Sequence, residues 1–249
     1  MFTKYIYVSA VLFITLPYLG VGAWYLVSSC PAPCAEPRGL NAPGVYLVGD
    51  GPIPQIFVIN PKTGSVGSSF PAPGGPGAWG ITGIPPVEDY LYLSNYLTSW
   101  IYKITTTGSV LSSFLCPLPG PAGIDYGGWP LRLEVTIPNM NVVAALDLEE
   151  GYLISAFRGP GLKPTSCVGD NWAFVGDAGT HTIYVRIFRD PIITGIEIPS
   201  GISVYNYIKD TEPDMGLYVV DAATKYIYNY EDNAPVAPSS LGRIKALFE

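Results

Sequence analysis

The sequence predicts an all-β fold, a β-propeller of five four-stranded blades with six as the alternative, preceded by an N-terminal signal or anchor segment. Three observations carry that expectation. Glycine and proline, 28 and 25 of 249 residues, punctuate short runs of Val, Ile, Tyr and Phe, as they do where strands are joined by tight turns. The pattern Gly-x-(Val/Leu/Ile)-x-x-x-Phe recurs at Gly64 to Phe70, Gly108 to Phe114, Gly151 to Phe157 and Gly242 to Phe248, with spacings of 44, 43 and 91 residues. The last gap is a double period, and Ile192 to Ile198 stands inside it as a degenerate copy. Charged residues make up 13% against 48% apolar, so the chain is not disordered and has the side chains for a core.

Three further columns complete each repeat. Ile56 to Asn60, Ile101 to Thr105, Val143 to Asp147, Ile183 to Ile187 and Ile227 to Glu231 lie upstream of the first motif. Tyr46 to Asp50, Leu91 to Asn95, Ala173 to Asp177 and Leu217 to Asp221 end in a small polar residue, with Leu133 to Ile137 as the deviant third member. A Pro/Gly turn precedes Gly39 to Ala42, Gly80 to Gly83, Gly123 to Tyr126, Cys167 to Asp170 and Gly201 to Tyr205. A small twisted sheet repeated at this period buries its faces only against copies of itself in a ring. An unsealed ring would leave a bare sheet edge, and the pattern assigns the sealing outer strand of the last blade to Gly242 to Phe248.

The order Gly-Ile-x-x, LYxxD, IYxx, Gly-x-Val-x-x-x-Phe, seen in Ala122-Gly123-Ile124-Asp125 and Gly216 to Asp221, resembles the NHL and SMP-30-like group of propeller repeats. The resemblance covers about residues 37 to 248. It implies a propeller, commonly six-bladed in that group. In SMP-30-like lactonases a divalent cation is held at the channel mouth by Glu, Asn and Asp from different blades.

The N-terminus predicts export. One Lys precedes 23 uncharged residues from Tyr5 to Val27. Three fates fit: cleavage after Val21-Gly22-Ala23, retention as an anchor, or lipidation of Cys30 in the lipobox-like Val27-Ser28-Ser29-Cys30. The expected division is residues 1–30 as leader or anchor, 31–36 as linker and 37–249 as propeller, secreted or at the cell surface. In that compartment Cys30, Cys34, Cys116 and Cys167 are disulfide candidates, with Cys116 to Cys167 as a staple between repeats.

Composition excludes some functions. A net charge of −7 without a basic cluster argues against nucleic acid. The single histidine, His181, excludes a multi-histidine metal centre and reads as an exposed turn residue. No nucleophile elbow or zinc-protease helix is present, so no catalytic residue is assigned. Asp50, Asn95, Asp177 and Asp221 recur once per blade, as turn acceptors of backbone N–H groups would. Asp125 and Asp170 lack such equivalents and are the carboxylates expected to bind a ligand. Trp79, Trp129 and Trp172, beside turns, are the aromatic candidates; Trp100 shares that setting. Acidic groups at Asp147, Glu149, Glu150 and at Asp210, Glu212, Asp214 read as solvated turns, with calcium as the one ion they could take. No other cofactor is expected. The chain thus reads as a non-catalytic binding or structural module for a glycan, peptide or protein, touching membrane only through its N-terminus. The alternative is a metal-dependent hydrolase or lactonase with a central-channel site.

Overall fold

The computed structural model describes residues 24–41, 46–84, 87–127, 132–168, 174–185, 190–209 and 212–232. They form five antiparallel four-stranded sheets. The first strand in the chain is β1 (Trp24–Pro31). Blade 1 comprises β2 (Pro37–Leu40), β3 (Tyr46–Gly49), β4 (Gln55–Ile59) and β5 (Val66–Pro71), and blade 2 β6 (Ala78–Ile84), β7 (Val87–Asn95), β8 (Trp100–Thr105) and β9 (Val110–Leu115). Blade 3 comprises β10 (Ile124–Gly127), β11 (Arg132–Ile137), β12 (Val142–Asp147) and β13 (Leu153–Arg158), and blade 4 β14 (Pro164–Val168), β15 (Phe174–Asp177), β16 (Thr182–Val185) and β17 (Asp190–Thr194). Blade 5 orders β18 (Pro199–Lys209), β19 (Glu212–Asp221), β20 (Tyr226–Asp232) and, outermost, β1. The protein is a five-bladed β-propeller. The only helix among the described residues is one 3-10 turn at Pro138–Met140.

Each blade seam has its own apolar core. Val48 and Ile56 meet Ile81, Leu91, Leu93 and Ile104 between blades 1 and 2. Tyr92 and Ile101 meet Leu133, Val135 and Leu146 between blades 2 and 3. Strand β7 therefore sends Leu91 and Leu93 to one neighbour and Tyr92 to the other, the period-two alternation of a strand buried on both faces. In the same way Leu217 and Val219 face blade 4, whereas Tyr218 and Val220 face blade 1.

The outer-strand motif is an inter-blade contact. Gly108 and Gly151 take left-handed φ values of 93° and 72°, where a side chain is disfavoured. A Cβ on either would also strike the phenyl ring of the preceding blade, Phe70 and Phe114 respectively. Glycine and phenylalanine recur together because one blade's ring rests on the next blade's turn.

Blade 5 departs from the sequence expectation. Its outer position belongs to β1, which pairs antiparallel with β20 from Trp24↔Asp232 to Pro31↔Tyr226; Gly242 to Phe248 lies outside the described residues. Cys30 opposes Ile227 as Phe70 opposes Ile56 and Phe114 opposes Ile101. Its thiol lies 3.3 Å from where a Cβ on Gly64 would stand, so a cysteine fills the phenylalanine position. Trp24 packs edge-on to Phe174 at 5.8 Å between ring centres. Among the described residues the first strand of the ring is therefore β1, and maturation at Cys30 would remove six of its eight residues. The outer strand of blade 4 likewise runs Asp190–Thr194 rather than Ile192 to Ile198.

The four cysteines are thiols, which corrects the disulfide expectation. Cys116 packs in the seam between blades 2 and 3 and Cys167 in that between blades 3 and 4, so they serve different cores. Cys30 and Cys34 lie in the seam joining blades 5 and 1. Burial pushes the Cys34 thiol up from its usual 9 to about 11 and the Tyr230 phenol from 10 to about 12. Raised acids keep their proton longer in the folded chain, so this stability is complete below pH ~9 and is lost as pH climbs through the folded values. Thermal melts should be insensitive to dithiothreitol and hold level to about pH 9, then fall toward pH 12. An unchanged transition at pH 12 would contradict the burial.

The inner strands meet at the axis through backbone. A Cβ on Gly39 would lie 2.4 Å from the Trp79 carbonyl oxygen, on Gly80 2.5 Å from the Ala122 carbonyl oxygen, on Gly123 2.4 Å from Ser166 Cα and on Gly201 2.5 Å from the Arg38 carbonyl oxygen. Ser166 holds the fifth place, its hydroxyl donating to the Pro199 carbonyl at 2.7 Å. The ring closes where the Ser200 hydroxyl donates to the carbonyls of Pro37 and Arg38 at 3.2 and 3.1 Å. The space left among these strands is about 10 Å³, roughly the room one water needs.

Candidate functional site

The site grows from the inner strands. After the constriction residue comes an apolar one (Leu40, Ile81, Ile124, Cys167, Ile202), then Asn41, Thr82, Asp125, Val168 and Ser203 in blades 1 to 5. Side chains two apart on a strand share a face, so this third residue is directed, like the constriction residue, at the next blade. Two contacts bear this out. The Thr82 hydroxyl donates to Asp125 Oδ1 across the blade 2 and 3 seam at 2.7 Å, and the Asn41 amide nitrogen lies 3.1 Å from where a Cβ on Gly83 would be. Four blades thus contribute polar groups to one belt around the axis.

Asn41, Thr82 and Ser203 are buried, at 5%, 1% and 1% exposure, while Asp125 is half-buried. The Ser203 hydroxyl has no hydrogen-bond partner, an unmet polar group of the kind that costs about 1–3 kcal/mol.

Beside Asp125 the next strand adds an ion pair. Asp125 opposes Glu134 and Gly127 opposes Arg132 in the ladder of β10 with β11. Arg132 Nη2 and Nε donate to Glu134 Oε1 at 2.9 and 3.2 Å; the Glu134 side chain is 2% exposed and that of Arg132 30%. Arg132 Cγ and Nε each lie 3.0 Å from where a Cβ on Gly127 would stand, so the absent side chain there leaves the arginine its path over β10. Among the described residues the buried apolar group of this seam is Val143, Cys167 and Val175, with Phe157 packed against it. The three formal charges of Asp125, Glu134 and Arg132 sum to −1.

Trp79 precedes the constriction and so belongs to the other mouth. Its ring carries the Arg38 guanidinium at 4.5 Å and meets Tyr96 at 5.3 Å. Arg38 in turn contacts Glu36 at 3.3 Å and Asp50 at 4.0 Å. Asp125 and Trp79 are therefore not brought together. Asp170, Trp129 and Trp172 lie outside the described residues.

The recurring carboxylates and amide are turn acceptors. Asp177 Oδ1 accepts the backbone N–H groups of Gly179 and Thr180, and its Oδ2 that of Lys163. Asp221 accepts from Glu197, Ile198 and Ala223, Asn95 from Leu97 and Thr98, and Asp50 from Gly77. His181 is an exposed turn residue with φ 55°, its Nδ1 2.7 Å from the Glu197 carbonyl oxygen. Asp147 accepts from the backbone of Glu149 and Glu150, while Asp210 and the side chains of Glu212 and Asp214 lie outside what is described. Among the described residues no three Asp, Glu, His or Cys side chains gather as a metal ion would need.

Sequence reasoning named Asp125 as a candidate and did not name Thr82, Ser203, Glu134 or Arg132, which the structure places around it or on the same belt. The signal for the first two was present: both stand two residues past the axial glycine, as Asp125 does. Glu134 and Arg132 sit in the third repeat, whose sequence departs from the column.

No family model and no curated protein matches the chain. Among solved structures it is similar to a glutaminyl cyclase of Myxococcus xanthus, with 8% identity over 85% of this chain and 97% of that one and a TM-score of 0.59. It is also similar to Kuenenia stuttgartiensis hydrazine synthase, with 15% identity over 62% of this chain and 49% of that one and a TM-score of 0.40. The chain spans about half of the latter's length. At 8% identity the first likeness concerns the fold alone.

Proposed function

We propose that the protein is a non-catalytic recognition module, exported through its N-terminal segment, that holds a peptide, protein or glycan over the propeller mouth bearing Asp125. The observation that carries this reading is the polar belt around a closed axis, with Asp125 its half-exposed carboxylate. A space of about 10 Å³ on the axis favours a ligand seated at the mouth over a substrate enclosed in a channel. Cross-blade support from Thr82 is the kind of second layer that holds a binding group in place before the ligand arrives. The repeat order also supports a place beside the NHL and SMP-30-like propellers, with binding rather than metal-dependent hydrolysis retained.

The test is retention of the purified chain on peptide and glycan arrays, with and without calcium, beside an Asp125→Asn variant of unchanged melting temperature. Retention that falls at least tenfold in the variant and ignores calcium is expected. Turnover of a lactone, or cyclisation of glutaminyl peptides of the kind the Myxococcus enzyme's name denotes, would replace this reading with an enzymatic one.

A further inference from the structure

We infer that two copies of this chain associate edge to edge, β9 of one running antiparallel to β9 of the other about a two-fold axis at Ser113. The contact lies on the rim of blade 2, away from the axis of the ring, and is independent of the recognition site proposed above.

An outer strand pairs on one side only, and its open side templates pairing with another chain unless proline, charge or a bulge blunts it. Here the blunting recurs at one place, the residue that follows Phe70, Phe157 and Cys30. Ala72, Cys116 and Gly159 donate their backbone N–H groups inward, to the carbonyls of Pro54, Ser99 and Asn141. By the alternation of an antiparallel ladder, the residue before each turns its own N–H and carbonyl to the open side. That residue is Pro71 in blade 1, which has no N–H to offer, and Arg158 in blade 3. Pro31 takes the place in blade 5, opposite Tyr226, and blade 4 has Asp190 and Pro191 in its outer strand. In blade 2 the residue is Leu115, 59% exposed. Among the described outer strands β9 alone has no proline, no glycine and no charged side chain. Its one bulge, at Leu111 against β8, is shared with β5 and β13, and Ser112 to Leu115 pair regularly beyond it.

Symmetry and charge fit this edge to a second copy. An isologous contact has to be self-complementary, and the same alternation turns the backbone of Ser113, near the middle of β9, to the open side. Pairing Ser113 with its counterpart sets Ser112 against Phe114 and brings Leu111 of each copy, 55% exposed, to Leu115 of the other. The chain carries −7, so copies repel over most of their surface. Strand β9 is uncharged, and Lys103, opposite Ser112 on β8, is already paired with Glu149 at 3.1 Å. Such a short edge belongs with the small, transient interfaces, so the dimer forms and dissociates in the micromolar range.

The test is sedimentation velocity of the full chain across about 1–200 µM, where small interfaces dissociate. A shift from one chain mass to two is expected, strengthened by added salt as the like charges are screened. Ser113→Lys puts a charge on the open edge and leaves the ladder to β8 intact; it should weaken association at least tenfold at an unchanged melting temperature. Residues opposed in a hydrogen-bonded antiparallel pair have Cα atoms about 5.5 Å apart, within disulfide reach. Ser113→Cys should therefore give a covalent dimer under mild oxidation, whereas Ser69→Cys, its counterpart on β5, should not. A dimer indifferent to Ser113→Lys, or equal cross-linking through Ser69→Cys, overturns the inference. So does a chain that stays monomeric throughout, including one that takes up an added strand-forming peptide at β9.

Discussion

A chain lacking Trp24 to Pro31 is expected to lose its cooperative thermal transition and to elute as aggregate. The deletion strips the outer strand from blade 5, and with it the ladder from Trp24↔Asp232 to Pro31↔Tyr226, the Trp24 to Phe174 edge contact and Cys30 from the seam of blades 5 and 1. At about 1 kcal/mol per hydrogen bond plus the apolar burial, the loss rivals the roughly 5–15 kcal/mol that holds a domain folded. It also bares β20 as a template for another chain. Trp24→Ala, which keeps the ladder, should cost only about 2–3 kcal/mol. Removal of residues 241–249 is the comparison, since it takes no described strand from the ring. Differential scanning calorimetry with size-exclusion chromatography decides the matter, and a cooperative melt at the parent temperature in the Trp24 to Pro31 deletion would refute closure by β1.

Gly80→Ala and Gly123→Ala should each lower stability by about 3 kcal/mol or more, near the upper end of overpacking. At about 2–4 °C per kcal/mol for a chain of this size, melting falls by roughly 6–12 °C. The new methyl would stand 2.5 Å from the backbone of Ala122 and Ile124 in the first case and 2.4 Å from Ser166 Cα in the second. Backbone cannot turn aside as a side chain would, and moving one inner strand shifts its neighbours around a closed ring. Gly67→Ala is the control, because its Cβ would meet only the Val58 carbonyl oxygen at 3.7 Å; it should stay within about 0.5 kcal/mol of the parent. Equal melting temperatures for Gly80→Ala and Gly67→Ala would show that the axis is looser than described.

How far the chain could be read in advance varied with the length over which its contacts act. Strands, turns and their repetition follow from neighbours in sequence: alternating Leu91, Tyr92 and Leu93, and a glycine beside a phenylalanine at fixed spacing. Asn95, Asp177 and Asp221 were legible for the same reason, since each bonds its own turn and the linker before its blade, whereas Asp50 bonds Gly77 in the linker to blade 2. Gly242 to Phe248 matched the outer-strand pattern better than Trp24 to Pro31 did. Pairing of β1 with β20 joins the two extremes of the propeller, and no local pattern records which distant segment reaches an edge first or fits it better. Cys30 in a phenylalanine's place hid the relation further.

The site divides in the same way. Asp125 stood out as a carboxylate on an inner strand without counterparts, but its support by Thr82 crosses from one blade to the next. Asp125 and Trp79 look alike as candidates in sequence, yet three residues along an inner strand carry them to opposite sides of a constriction. By itself the sequence determined that there are five repeats of four strands, because each strand's character is set by which of its two faces are buried. The tertiary structure alone decided which strand seals the ring, which mouth each polar group serves and that the axis is closed, because these depend on backbones from different blades meeting at distances that only the assembled ring imposes.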